Sequence, residues 1–423
     1  MKDGVLIVGG GLAGLALAQA LKHAIPAIPF HIFERDDRAG FRAQGYRIRI
    51  SGDSLKQLLQ PTLFAKFEAT AAVINLGRGQ TFDALTGEPD PTATLPGPPP
   101  GVTVRSTTPY NVDRAVLRNI LLQGLEDHIS FGKKFESYKI LGDQSVQVKF
   151  ADGTEERGAV LIGADGARSG VRKQLMPRFP IIDTEGRSVF GKTDLTDDFV
   201  ARLPDNFLAG MSIAGVPAPP TSSTSRPVKL LFEAMNFDPA ARHLDVGVPA
   251  DYIYWVLCFR SDVSDASHGD LSQMLALSSA ESVALAADLT KDWHHSVRAF
   301  IDTANEASAS TIAVFSCTEE GLTQSWAQLR QDHLLAPVTL IGDAAHPMPP
   351  VGGVGANSAF QDALDLFKAM KASPGAPTTE NNALAEYEKE MLERVKGAVQ
   401  RSFMGSTRFF GMRPISELKE VSF

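Results

Sequence analysis

The chain has 423 residues, 43% hydrophobic and 21% charged, which is the composition of an ordinary globular protein. Its 41 basic and 49 acidic side chains give a formal net charge of −8, and the chain has no long basic run, which argues against nucleic acid or an anionic membrane as the main partner. No apolar stretch predicts a transmembrane helix, and the N-terminus lacks the pattern of a secretory signal. The only cysteines, Cys258 and Cys317, are expected to be free thiols in a cytoplasmic protein.

The first 35 residues predict a strand, a turn, a helix and a second strand. A short apolar run over Val5–Val8 is typical of a buried parallel strand, and so is the run over Phe30–Phe33. The Ala- and Leu-rich segment 12–23 between them predicts a helix. This order is that of a βαβ unit, whose two strands lie side by side in one sheet.

The turn of this unit carries Gly9, Gly11 and Gly14. In such a turn the first glycine permits a sharp bend, the second lets a pyrophosphate approach the backbone, and the third lets helix and strand pack closely. Glu34 follows the second strand, where a carboxylate accepts hydrogen bonds from ribose hydroxyls. The pattern predicts a dinucleotide site without a 2′-phosphate, and it does not separate FAD from NAD.

The next elements follow from periodicity and from turn residues. Segment 46–50 predicts a half-exposed strand, 52–73 a helix, and the proline-rich segment 86–101 a loop. A helix is expected over 111–124, capped by Asn111 or Asp113, and a hairpin begins at 145–150.

The second half of the chain predicts a mixed or antiparallel sheet over 181–315, with one helical insert at 281–301. A strand is expected near 338–342 and a helix over 358–370. A polar linker follows, and then a C-terminal helix over about 383–402.

A late motif favours FAD over NAD. Gly342 and Asp343 follow a predicted strand, where the carboxylate can bind sugar or ribitol hydroxyls. Gly355, Ala356 and Asn357 begin a predicted helix, whose N-terminal N–H groups can face the negative charge of a reduced flavin ring. A third motif surrounds Asp165, which taken alone is a common Asp-Gly turn.

These three motifs, in this order, resemble those of the single-component (class A) FAD-dependent monooxygenases, the family of para-hydroxybenzoate hydroxylase and salicylate hydroxylase. The match covers residues 4–60, 105–175 and 335–370. The resemblance implies an enzyme that uses FAD, NADPH or NADH, and O2, and that hydroxylates an electron-rich aromatic or related metabolite through a C4a-hydroperoxyflavin. It further implies a fungal or bacterial secondary-metabolism enzyme, monomeric or homodimeric, whose partner is a small aromatic molecule.

The resemblance also assigns roles to matching positions. It makes Gly9, Gly11 and Gly14 the pyrophosphate turn and Glu34 the ribose carboxylate. The other cofactor-binding positions that we predict are Arg35, Arg42, Gly45, Arg114, Asp165, Gly342, Asp343, Gly355, Ala356 and Asn357. Candidate substrate contacts are four aromatic residues and one proline, namely Phe232, Tyr252, Tyr254, Trp255 and Pro350. No catalytic acid or base and no metal site is predicted.

The expected fold class is α/β, with a Rossmann-like FAD-binding domain (GR2-type), an inserted mixed or antiparallel substrate sheet and a C-terminal helix. The FAD-binding domain is expected to comprise residues 1–75, 102–180 and 316–372. The other expected parts are a Pro-rich insert at 76–101, the substrate domain at 181–315 and a C-terminal helical segment at 383–423.

Several alternatives remain open from sequence. The same fold could serve an epoxidase, a Baeyer–Villiger-type enzyme or an oxidase, and a flavin- or nucleotide-binding sensor without turnover is a rival from another class. Arg42, Arg47 and Arg49 are interpreted as a charged strand face. His346 is interpreted as a structural histidine.

Overall fold

The computed structural model describes residues 4–38, 46–73, 79–91, 109–204, 207–216, 227–263, 271–332, 336–351, 353–372 and 383–422. Its strands are β1 Val5–Val8, β2 Phe30–Phe33, β3 Arg47–Ile50, β4 Thr81–Asp83, β5 Tyr110–Asp113, β6 Ile129–Ser130, β7 Phe135–Ile140, β8 Val146–Phe150, β9 Glu155–Gly158, β10 Val160–Gly163, β11 Ile182–Asp194, β12 Ser212–Gly215, β13 Lys229–Met235, β14 Tyr252–Arg260, β15 Ser310–Ser316, β16 Val338–Leu340 and β17 Lys419–Glu420.

Its α-helices are α1 Leu12–Lys22, α2 Asp53–Leu58, α3 Pro61–Thr70, α4 Arg114–Leu122, α5 Gly170–Leu175, α6 Asp197–Val200, α7 Leu271–Leu275, α8 Ser279–Leu289, α9 His295–Asp302, α10 Glu319–Asp332, α11 Gly355–Ala372 and α12 Ala383–Phe410. The expected α/β class, with a Rossmann-like unit and a separate mixed sheet, is confirmed.

A parallel sheet of five strands runs in the order β16-β10-β1-β2-β6. Every residue of β1 and of β10 is buried, which explains their uninterrupted apolar sequences. Helices α1 and α11 pack against each other beside this sheet. Because parallel strands end at the same edge, the turns after β1, β10 and β16 lie together there.

A larger sheet of seven strands includes the order β15-β11-β14-β13-β12-β4, with β17 paired to β11. It is antiparallel except for the β12–β4 pair. Strand β4 comes from the Pro-rich insert and β17 from the C-terminal segment, so the large sheet includes strands from outside the predicted substrate segment 181–315. One face of this sheet packs against α8 and α9, and the other carries a second apolar cluster that includes the end of α12.

Three expected elements have different boundaries. The helix predicted over 111–124 begins only at Arg114, because Tyr110–Asp113 pairs with β3 as a strand. The Asp113 carboxylate caps that helix by accepting from Ala115 N at 2.8 Å. The segments 52–73 and 281–301 each hold two helices rather than one.

None of the described helices combines the length and hydropathy needed to span a membrane. Among the described residues, no group of His, Cys, Asp and Glu side chains is arranged to hold a metal ion. Both cysteines are free and buried.

Candidate cofactor and substrate site

The turn after β1 packs directly on the turn after β10 and beside the turn after β16. Gly9 has φ +112°, and a Cβ there would lie 2.3 Å from the carbonyl oxygen of Ala164. A Cβ on Gly342 would lie 3.3 Å from Cβ of Ala13, in the first turn of α1. The structure thus brings together the three motifs that the sequence distributes over more than 300 residues.

Gly11 and Gly14 differ in what surrounds them. A Cβ on Gly14 would lie 2.3 Å from the carbonyl oxygen of Gly9, so close packing of α1 on the turn requires glycine there. A Cβ on Gly11 would meet no atom of the described residues within 4 Å. No described side chain caps the N-terminus of α1, so its first N–H groups face the open space beside Gly11.

Glu34, the predicted ribose carboxylate, packs against this turn. Its side chain is buried, with Oε2 accepting from Gly10 N at 2.7 Å and Oε1 accepting from Asp36 N at 3.0 Å. Each carboxylate oxygen keeps a second lone pair for a ribose hydroxyl. Arg35 is half exposed and pairs with Asp36 at 3.3 Å, so it lies outside this contact.

Arg118 is a residue of this region that sequence reasoning missed. Its buried side chain reaches from α4 to the turn, where Nε donates to the carbonyl oxygen of Gly10 at 3.1 Å. Arg114 lies one helical turn earlier on the same face of α4, with its guanidinium 5.5 Å from the ring centre of Tyr46. That (i, i+4) spacing from Arg114 was the available signal.

Asp343 lies in the turn that follows β16. Its side chain is accessible to solvent, yet the surrounding protein desolvates it enough to raise the pKa of the carboxyl, while the nearby His346, Arg114 and Arg172 act to lower it. The Arg172 guanidinium fixes this turn by donating to the carbonyl oxygens of Asp343 at 3.2 Å and Ala344 at 2.8 Å.

The Asp165 carboxylate accepts hydrogen bonds from residues of its own turn. Oδ2 accepts from Gly170 N at 2.8 Å and Val171 N at 3.3 Å, and Oδ1 accepts from the Ser169 hydroxyl. Desolvation raises the pKa of this carboxyl, and these hydrogen bonds oppose the shift. The carboxylate therefore positions the Arg172-bearing helix α5.

The start of α11 is held by Asn357. Its Oδ1 accepts from Ser51 N at 2.9 Å, and its Nδ2 donates to the carbonyl oxygens of Arg49 at 3.3 Å and Gly353 at 3.1 Å. The predicted flavin-ring segment at Gly355–Asn357 is thereby tied to β3. Ala356 lies in the same first turn of α11 and packs partly buried against the main core. Arg42 and Gly45 lie outside the described residues.

The substrate candidates divide between the two faces of the large sheet. Tyr252 and Tyr254 lie on the face that also packs against Tyr46, on the β3 side of the molecule. Phe232 and Trp255 are fully buried on the opposite face, against α9, which corrects their assignment to the pocket. Pro350 is exposed in the loop before α11.

We predict that Trp255→Phe lowers the free energy of unfolding by about 1–3 kcal/mol, because it removes buried volume and the hydrogen bond from Nε1 to Thr193 Oγ1 at 3.2 Å. It should leave the Kd of aromatic ligands unchanged. Tyr254→Phe should give the reverse pattern, with altered ligand affinity and near-normal stability. Denaturant unfolding together with ligand titration checks this, and a large change in ligand Kd for Trp255→Phe would contradict the face assignment.

The βαβ unit and the three adjoining turns together have the architecture of a dinucleotide-binding α/β protein, to which a large mixed sheet is attached. Residues 7–72 match the model of an NAD(P)-binding Rossmann-like domain, and residues 290–402 match the model of an FAD binding domain.

Relatives and solved structures agree with this class. The dual O-methyltransferase/FAD-dependent monooxygenase CTB3 of Cercospora beticola is 37% identical over 99% of this chain and 48% of its own length. The FAD-dependent monooxygenase cctM of Talaromyces islandicus is 26% identical over 95% of this chain and 91% of its own length. Klebsiella pneumoniae HpxO, solved with FAD and uric acid, has the same fold, with a TM-score of 0.68 at 19% identity over 97% of this chain and 89% of that chain.

The chain thus contains an FAD binding domain and is similar over nearly its whole length to FAD-dependent monooxygenases. It spans about half the length of the Cercospora relative.

Proposed function

We propose that the chain is an FAD-dependent monooxygenase that uses NADH or NADPH and O2 to hydroxylate an electron-rich aromatic or related small molecule. The observation that carries the FAD assignment is the convergence of three turns at one sheet edge, with Gly11 facing open space beside the uncapped N-terminus of α1. Ligands of open α/β sheets bind at the carboxyl ends of the strands.

The residues present fit FAD. We propose that the turn at Gly9, Gly11 and Gly14 holds the pyrophosphate, Glu34 the adenosine ribose, Asp343 the ribitol, and the first turn of α11 the ring. Bound flavin supplies redox chemistry, because it accepts a hydride from NAD(P)H and activates O2.

The chain's own residues then bind, orient and exclude water. Asn357 holds the N-terminus of α11 in place through its hydrogen bonds to Ser51 and Arg49. The positive end of the helix dipole therefore keeps a fixed position relative to the proposed flavin ring. The buried face of the large sheet around Tyr254 supplies the wall against which an aromatic substrate stacks. Exclusion of water matters because water diverts activated oxygen from the substrate.

Two comparisons support the substrate class. The HpxO structure contains uric acid, a planar electron-rich heterocycle. The name of the Cercospora relative couples O-methyl transfer with monooxygenation, and O-methylation needs a hydroxyl acceptor. Both favour a planar, hydroxyl-bearing substrate or product for this chain. We further propose the division into FAD-binding segments 1–75, 102–180 and 316–372 and a substrate segment 181–315, with β4 and β17 as outside contributions to its sheet.

Asp343→Ala should weaken FAD binding by about tenfold to a hundredfold, since a hydrogen bond to a charged group is worth about 1.5–3 kcal/mol. FAD fluorescence during titration with apoprotein measures the Kd. Wild-type affinity in the variant would remove Asp343 from the cofactor site.

The function is tested by mixing FAD-loaded protein with NADPH or NADH without oxygen and then admitting O2 together with a panel of hydroxylated aromatics. We expect one of the two nucleotides to reduce the flavin and bleach its absorbance. The true substrate should speed the cycle of flavin reduction and reoxidation, and mass spectrometry should detect its hydroxylated product. Protein that takes up no FAD, or flavin that neither nucleotide reduces, would contradict the proposal.

A further inference from the structure

A cluster of opposite charges joins β3 to the large sheet. Glu233 on β13 is buried and forms an ion pair with the Arg47 guanidinium. Nη2 of Arg49 lies 3.7 Å from the same carboxylate, and Asn111 Nδ2 donates to it at 2.9 Å. The sequence interpretation of these arginines as a charged strand face therefore needs correction for Arg47 and Arg49. Two guanidinium groups share one carboxylate, which leaves the cluster one positive charge in excess.

Arg49 is the accessible member of this cluster. Its side chain is 39% exposed, compared with 11% for Arg47 and 4% for Glu233. Asn111 Oδ1 accepts from Nε of Arg49 at 3.1 Å, so one edge of the guanidinium is fixed and the rest can face a ligand. Desolvation, with the like charge of Arg47, lowers the pKa of Arg49, and an anion at this edge would relieve both effects.

The position of Arg49 is that of a substrate contact. Its backbone carbonyl oxygen accepts from Asn357 Nδ2 at 3.3 Å, at the start of α11 that we assign to the flavin ring. Its side chain points to Glu233, whose directly opposite neighbour on β14 is Tyr254. Opposite residues of an antiparallel pair share one face, so Arg49 lies on the same side of the large sheet as Tyr254.

We propose that Arg49 is a specificity-determining residue that binds a carboxylate of the aromatic substrate, and that Glu233, Asn111 and Arg47 hold its guanidinium in position. This proposal rests on the proposed function, since it names the substrate class of that site. A guanidinium with a fixed plane matches a carboxylate through two parallel hydrogen bonds.

The test compares 1-hydroxy-2-naphthoate with the uncharged 1-hydroxy-2-naphthamide as probes on FAD-loaded protein. Perturbation of the flavin absorbance gives each Kd without any turnover. We expect wild type to bind the naphthoate more tightly than the amide. Arg49→Gln should raise the naphthoate Kd about tenfold to a hundredfold and leave the amide Kd nearly unchanged. Arg49→Lys keeps the charge but loses the forked guanidinium, so its naphthoate Kd should lie between those of the wild type and Arg49→Gln.

Arg202→Gln is the matched control, because it removes the same charge from an exposed ion pair with Asp198. It should leave both Kd values unchanged. Equal binding of both probes by wild type, or no binding of either, would overturn the proposal. So would an Arg49→Gln variant in which only the KM of NADPH rises, since that result would assign the arginine to a nucleotide phosphate. If Arg49→Gln fails to fold, Arg49→Lys decides by the same comparison.

Failure of this proposal and failure of the proposed function give different results. Loss of the naphthoate preference with intact FAD binding and NAD(P)H-dependent oxygenation removes only the role of Arg49. Normal probe binding without oxygenation by the wild type removes the monooxygenase activity instead.

Discussion

Gly11→Ala should fold as stably as the wild type and yet bind FAD about tenfold to a hundredfold more weakly, as about 1–3 kcal/mol of steric cost implies. Gly11 has φ −78° and ψ −177°, angles that any residue adopts, and a methyl group there would touch no atom within 4 Å in the part of the chain that the structure describes. That part of the folded chain therefore does not require glycine at this position. A pyrophosphate in contact with the backbone does have that need.

Gly14→Ala is the contrasting variant. Its Cβ would lie 2.3 Å from the carbonyl oxygen of Gly9, so we expect it to destabilise the apoprotein itself. Thermal unfolding of the apoproteins and FAD titration separate the two effects. Wild-type FAD affinity in Gly11→Ala would mean that the pyrophosphate does not contact this turn.

Asp362→Asn should lower the free energy of unfolding by about 3–5 kcal/mol, the cost of leaving buried charges without their partner. Asp362 on α11 is fully buried. Its Oδ2 accepts from Gly342 N at 2.8 Å and lies 2.6 Å from His346 Nε2, and its Oδ1 accepts from Arg394 Nη2 at 2.5 Å. One carboxylate thus joins α11, α12 and the turn that carries Asp343, so we also expect weaker FAD retention. Denaturant unfolding measures the effect.

The same network predicts a pH dependence. Burial lowers the pKa of His346, but the charge and hydrogen bond of Asp362 outweigh burial, and the net pKa is raised above 6.5. For Asp362 burial raises the pKa, but His346 and Arg394 outweigh it, and the net pKa is lowered below 3.8. The histidine contribution is complete below pH 6.5 and is lost as pH rises through its folded pKa. The aspartate contribution is present above pH 3.8 and is lost as pH falls through its folded pKa.

His346→Gln should therefore remove the loss of stability on the alkaline side and leave the acid side. Glu393→Gln serves as control, because its pair with Lys396 is exposed and should change stability by less than about 0.5 kcal/mol. If the free energy of unfolding of His346→Gln still fell at alkaline pH as it does in the wild type, that result would contradict the assignment of this pH dependence to His346.

Local sequence pattern predicted the elements that are buried in a uniform way. Strands Val5–Val8 and Val160–Gly163 have every residue buried, so each is a continuous apolar run with clear turns at its ends. The glycine spacing predicted the sharp turn after β1, where Gly9 has φ +112° and a Cβ on Gly14 would collide with the Gly9 carbonyl oxygen.

The faces of the substrate sheet could not be predicted in this way. Strand Tyr252–Arg260 is buried on both faces except at its last residue, so its sequence shows no alternation that would separate Tyr254 from Trp255. The sequence predicts a helix from residue 111 onward, whereas Tyr110–Asp113 is a strand. This strand forms because it pairs with β3, about 60 residues earlier in the chain, and propensity carries no sign of that partner.

The charge pairs of the site were also beyond local pattern. Arg47 and Glu233 lie far apart in sequence, and only the packing of β3 on the large sheet brings them together. The partners of Asp165 were likewise beyond local pattern, because its carboxylate accepts hydrogen bonds within its own turn, from the Ser169 hydroxyl and from Gly170 N.

Oxygen isotope transfer tests the central claim most directly. The substrate is a hydroxylated aromatic selected because it stimulates nucleotide oxidation. It is incubated under ¹⁸O2 with FAD-loaded protein and NADPH or NADH, and mass spectrometry measures the mass of the product. A monooxygenase places one labelled atom in the product for each nucleotide oxidised, and the Gly11→Ala protein should need added FAD to match the wild type. Hydrogen peroxide formed in step with nucleotide oxidation, with no labelled product, would contradict the account and assign an oxidase.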